Sequence, residues 1–200
     1  MFTFLLAVVG LALSCTTVSD RKPPMEYSFN QNEGYSLLYD LMSKQKNVDK
    51  LLMIKKEKPD VGTVVERIAA TCTNAAQKME SFRTEDPSLN LEVKSLPAVE
   101  QATRASIESE RTKELLFSTG EDFEVHLLLS QAEGICYGAH LAGVLASEEK
   151  HNGRKEYMKH LSKELQDLQK SVIEILSSRY APPPAADVST PVATKPDEKP

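Results

Sequence analysis

Between residues 60 and 86 the apolar side chains Val65, Ile68, Cys72, Ala75, Met79 and Phe82 recur at alternating steps of three and four. That spacing puts them on one side of an α-helix and predicts a packed seam. A second seam of the same kind, Met158, Leu161, Leu165, Leu168, Val172 and Ile175, follows the turn signal "EKHNGR". A looser stripe, Leu37, Leu38, Leu41, Val48, Leu51 and Leu52, is interrupted by Gln45. It begins after "NQNE", a capping-box sequence in which Asn30 accepts from the backbone and Glu33 reaches back. Proline removes a backbone donor and clashes with the preceding turn of a helix. The proline-free intervals 25–58, 60–86 and 98–181 are therefore where long helices fit.

Residues 85–96, "EDPSLNLEVKSL", break the helical rhythm, with Leu89, Leu91 and Val93 alternating. Extended, this stretch covers about 40 Å, as much as a helix of about 25 residues. It is long enough to cross a bundle from end to end, which frees the second and third helices from being antiparallel neighbours. Pro97 suits a first helical turn. The helix it opens runs to Phe117 and is mostly charged, its acids and bases reading as intrahelical pairs on a wet surface. "STGE" then predicts a break and a fresh cap at Ser118, ahead of a helix from about 120 to 149. The expected fold is all-α: an up-down bundle of four to five long helices over 30–180. The segment 181–200, "APPPAADVSTPVATKPDEKP", lacks large apolar residues beyond two valines and is expected to be a disordered Pro-rich tail.

Composition narrows the function classes. A chain of 200 residues, 40% hydrophobic and 26% charged, provides one ordinary domain with extensions. With a net charge of −5 and no basic run interleaved with aromatics, it lacks the footprint of a nucleic-acid binder. Glycine-rich phosphate loops, Gly-x-Ser-x-Gly, His-Glu-x-x-His and Cys-x-x-Cys are missing. The expectation is a protein that is not an enzyme and needs no cofactor.

The first residues are of a different kind. "MFTFLLAVVGLALSC" is apolar almost throughout to Leu13, too short to span a bilayer, which needs roughly 20 residues, and suited to a secretory signal over 1–14. "LALSC" resembles the lipobox of bacterial lipoproteins. The resemblance implies that Cys15 takes a diacylglyceryl group and becomes the mature amino terminus, with 15–29 as a lipidated tether. Thr16 follows the cysteine where no Asp stands, which in that family implies the outer membrane, on its periplasmic side, of a Gram-negative cell. Ala12-Leu13-Ser14 also fits ordinary signal peptidase, so soluble export to the periplasm or medium is the alternative. The expected partners are a membrane, through the anchor, and an unidentified component of the envelope.

Two helices, a long connection and further helices form the layout of ferritin-like bundles. "FEVHLLLSQAEGICYGAHLAGVLASEEKHNGRKEYMKHLSKELQDL" resembles a family of exported bacterial ferritin-like helical-bundle proteins of unknown function. The likeness is carried by Ala and Gly spacing and implies a fold without adding an activity. Within it, Ser130, Glu133, Tyr137 and His140 lie within about 40° of His126 on a helical wheel, and Gly134 and Gly138 flank them. A metal- or redox-active bundle would use His126, Glu133 and His140. Residues seven apart on a helix are separated by about 10.5 Å, and the two histidines are twice as far apart in sequence, so they cannot share an ion of about 2 Å bond length. The Glu-x-x-His step of di-iron bundles is absent. The stripe therefore reads as a solvated or interhelix polar face. Cys72 and Cys136 fall on apolar sides of their helices, so both are expected to point into the core. They can pair as a disulfide or remain two buried thiols, and helix order decides between these.

Overall fold

A computed structural model describes residues 30–180 apart from 53, 54, 56 and 95. The expected signal peptide, the tether with Cys15 and the Pro-rich tail lie outside the described residues. Five α-helices follow one another: α1 (Gln31–Gln45), α2 (Pro59–Glu85), α3 (Ala98–Phe117), α4 (Gly120–Glu148) and α5 (Asn152–Tyr180). At the head of α1, Asn30 Oδ1 accepts from the backbone of Asn32 at 3.1 Å, and its amide donates to Glu33 Oε1 at 3.0 Å. Glu33 thus reaches back to the capping side chain. Where the apolar stripe meets Gln45, α1 stops, and a 3₁₀ turn at Val48–Leu51 carries the rest. Pro59 opens α2, where its missing N–H costs nothing.

Both clean seams are core. All six seam residues of α2 are buried, and so are those of α5 except Ile175, which is half-buried against the cluster. Tyr35 and Met42, which the stripe of α1 does not include, are among the most deeply buried side chains. Side-chain pairs set the helix directions. Along α2 and α5 the contacts are Asp60 with Arg179, Thr71 with Glu164 and Phe82 with Tyr157, so the two run antiparallel. Tyr35 with Glu149 and Gln45 beside Gly134 do the same for α1 and α4. Core helices α1 and α5 run one way, and α2 and α4 run the other. Each of the four packs against two antiparallel neighbours in the order α1, α2, α5, α4, while α3 lies outside against α4.

The long connection behaves differently from the expectation. Asn32 of α1 holds it from both sides, donating to the Ser88 carbonyl at 3.2 Å and accepting from Asn90 N at 2.9 Å. Leu89 and Leu91 are buried and Val93 is exposed. The segment therefore seals the end of the bundle where α1 and α5 begin. The lengthwise return is made by α3, about 30 Å long at 20 residues. The reason is local: two leucines find the core at that end, and the chain is free to coil from Pro97 onward. Ser118 closes α3 by donating its N–H to the Glu114 carbonyl at 2.9 Å, and Thr119, not Ser118, precedes α4. Gly120, at φ 59°, makes the tight reversal between the two helices, in a region where other residues are strained.

Close approach of α1 to α4 depends on Gly138. A Cβ there would stand 3.0 Å from Met42 Cε, 3.1 Å from Leu41 Cδ2 and 3.4 Å from Leu165 Cδ1. Gly138→Val is expected to lower stability by about 1–3 kcal/mol through overpacking. Urea unfolding at neutral pH measures it, and an unchanged midpoint would show that α1 yields freely.

Candidate functional site

The polar stripe of α4 is the surface on which α3 lies. Arg111 of α3 is paired with Glu133, and Glu114 Oε2 stands 3.6 Å from His126 Nδ1. Arg104 of α3 bonds Glu100 at 2.7 Å and neighbours Tyr137, and both contacts hold its guanidinium above the usual arginine range. His140, at the far end of the stripe, is exposed. His126, Glu133 and His140 therefore meet different surroundings, and among the described residues no three His, Cys, Asp or Glu side chains are grouped to hold a metal ion. The charges of α3 are also not simply intrahelical. Besides Arg111, Glu108 reaches Lys44 of α1 at 3.1 Å. Lys55 donates to the carbonyls of Leu116 and Ser118 at 2.7 Å each, capping the end of α3.

This mode of attachment leaves a gap. No residue of α3 is buried, so its side chains rest on α4 and reach α1 without filling the space between. The result is a cleft of about 580 Å³ lined by α1, the 3₁₀ turn, α3 and α4, within the range of small-molecule sites. Its apolar wall includes Leu37, Leu41, Val48, Leu51, Ile107 and Leu115. Every cation at its rim has a carboxylate partner: Lys44 with Glu108 and Asp40, Arg104 with Glu100, Arg111 with Glu133. Burial opposes the charge on Lys44, but those two carboxylates outweigh it and hold its pKa above the ordinary lysine value.

One lining group is unmatched. Gln131 of α4 is 3% exposed, and its Oε1 has no hydrogen-bond partner among the described residues. Its Nε2 has only a long 3.4 Å contact to Ser130 Oγ. Whichever way the amide is turned, one end has no partner among the described residues, and such a group carries a desolvation cost of about 1–3 kcal/mol. Gln131 belongs to none of the patterns that single out residues in the sequence. The available signal was its wheel position, about 140° from His126 on the apolar side.

Two further polar residues share that side, and both are clamps. The Glu149 side chain is 1% exposed. Its Oε2 accepts from Tyr35 at 2.7 Å, from Gln31 and from Arg154 Nε at 3.0 Å, and its Oε1 accepts from His151 N at 2.8 Å. Arg154 continues to Asp86 at 2.8 Å. Burial alone would raise the Glu149 pKa, but these donors outweigh it and hold the carboxyl below the usual range. Burial, and then Glu149 itself, raise the Tyr35 hydroxyl far above its ordinary value. At the opposite end, buried Glu124 accepts the Lys58 backbone N–H at 2.6 Å, lies 3.5 Å from Lys58 Nζ and accepts the Tyr180 hydroxyl.

Among the described residues Cys72 and Cys136 are both free thiols. Cys72 is buried, and burial, then Glu164, push its thiol up to about 12, which removes it as a nucleophile at neutral pH. Cys136 is half-buried, in place of the expected core position. The helices that carry the two thiols are diagonal in the four-helix core. Compared with family models, curated proteins and solved structures, the chain finds no match in any of the three.

The fold stabilises ionised Glu149, because its folded pKa lies below that of a free glutamate. That contribution is complete above about pH 4.3, the free value, and is lost as pH falls through the folded pKa. Tyr35→Phe is expected to cost about 1.5–3 kcal/mol at pH 7. The deficit should shrink below about pH 4 in urea titrations. A deficit that does not depend on pH would show that Tyr35 contributes packing alone.

Proposed function

We propose that this chain is a non-catalytic binding module of the bacterial cell envelope, held at a membrane by lipid on Cys15, with the cleft between α1, α3 and α4 as its ligand site. The observation that carries the binding role is the unmatched Gln131 amide inside a mostly apolar cleft. A polar group left without a partner in such a place is a common mark of a site that awaits one. Anchoring is supported by the lipobox-like "LALSC" after an apolar run. Soluble export remains the alternative route to the same compartment. The helix directions, with α2 and α4 parallel and a lengthwise return between them, support the reading of a ferritin-like layout. The metal-active version of that layout gains no support from the separate surroundings of His126, Glu133 and His140.

One preparation from the native host tests both halves. Mass spectrometry is expected to find no peptide from residues 1–14 and an acylated Cys15, whereas a free Cys15 on an uncleaved chain would end the anchoring reading. A ligand-observed NMR screen with small neutral fragments is expected to give hits that Thr112→Trp removes. Thr112 lines the cleft from exposed α3, so the substitution fills the space without touching the core. Hits that survive it unchanged would place binding elsewhere.

A further inference from the structure

We infer that the cleft takes an uncharged amphiphile: an apolar chain whose hydroxyl or amide head is bonded by Gln131. The inference rests on the cleft being a ligand site and names what enters it. Three observations lead to it. Aliphatic side chains reach the cleft from both flanks, Leu37 and Leu41 from α1 and Ile107 and Leu115 from α3, and between Arg104 and Leu115 the α3 side alone runs about 16 Å. That is room for a chain of about a dozen carbons, for which burial of apolar surface supplies the attraction.

Charge decides the head group. Lys44, Arg104 and Arg111 are already neutralised by Glu108, Asp40, Glu100 and Glu133. A carboxylate or phosphate entering here adds an anion beside cations that are already balanced, an ammonium adds a cation beside acids that are already paired, and a neutral head adds no charge to either. The group that does want a partner is the Gln131 amide, with Oε1 unpaired and Nε2 held only at 3.4 Å among the described residues. A hydroxyl or amide both donates and accepts, so it satisfies Gln131 in either orientation of the side chain. An alkane satisfies it in neither.

The test uses the full chain and four probes held below their micelle concentrations: monododecanoylglycerol, dodecanamide, dodecanoate and dodecyltrimethylammonium. Affinities come from calorimetry, and the ¹⁵N signal of the Gln131 side-chain amide reports the contact. The two neutral probes are expected to bind about tenfold more tightly than either ion and to shift that signal. Gln131→Leu removes the unpaired amide and should fold at least as well, while losing that tenfold preference. The inference is overturned by equal binding of the charged probes, by unchanged neutral affinity in Gln131→Leu, or by no binding of any probe. It is also overturned if residues 1–29 already contact Gln131 in the free chain. Thr112→Trp separates the two levels. If it abolishes binding while the head-group preference fails, the cleft stands and the ligand class is wrong. If it leaves all binding intact, the cleft reading itself falls.

Discussion

Two carboxylates buried on one side of α4 hold the ends of the four-helix core. Glu124 and Glu149 lie about 37 Å apart along the helix. Glu124 bonds the start of α2 and the end of α5. Glu149 bonds the start of α1 and the turn into α5, and through Arg154 it reaches Asp86 at the end of α2. A buried carboxylate is costly unless it is fully paired. Sliding or rotating any core helix would strip one of these acids of its donors, so the pair sets register as much as it adds stability. The apolar seams supply the attraction, and the acids select one arrangement of them.

Helix α3 takes part in neither clamp. It is held by Arg111 to Glu133, Glu108 to Lys44 and Lys55 at its carboxyl end, all at the surface. Exposed pairs of this kind are worth about 0–1 kcal/mol each. Phe117, 82% exposed, and Val99, 75% exposed, show how little apolar surface the helix puts away. An element attached by surface polar contacts and the half-buried Leu115 over an unfilled apolar cleft belongs to the low-stability part of a fold. In the proposed function that weakness is useful, because α3 can give way to a ligand while the clamped core stays fixed.

How much of this was legible in the sequence depends on which physical signal was read. The seams of α2 and α5 were plain, because a helix that packs along its whole length must repeat apolar residues at steps of three and four. The reversal near Gly120 was legible from the break signal that precedes it. The connection after α2 was not, since alternation at Leu89 and Leu91 does not say whether an extended segment runs along a bundle or across its end. The stripe from His126 to His140 lies partly against α3 and partly in solvent. Glu124, Gln131 and Glu149 fall within about 20° of one another on the apolar side of the same wheel. A polar residue out of place marks a group that needs a specific partner, whereas a continuous polar stripe needs only water or another charged helix. The cleft could not be foreseen, because it arises from the failure of α3 to bury any side chain, a tertiary outcome that its own sequence does not dictate.

Native-state hydrogen exchange tests most directly the claim that the four clamped helices stand without α3. Amides near the middle of α2, α4 and α5 should exchange only with global unfolding. Those of α3 should exchange at least about a hundredfold faster, through local opening. If α3 were instead as protected as the centre of α4, it would be an integral fifth helix of the core, and neither the clamp nor the opening cleft would describe how the protein is built.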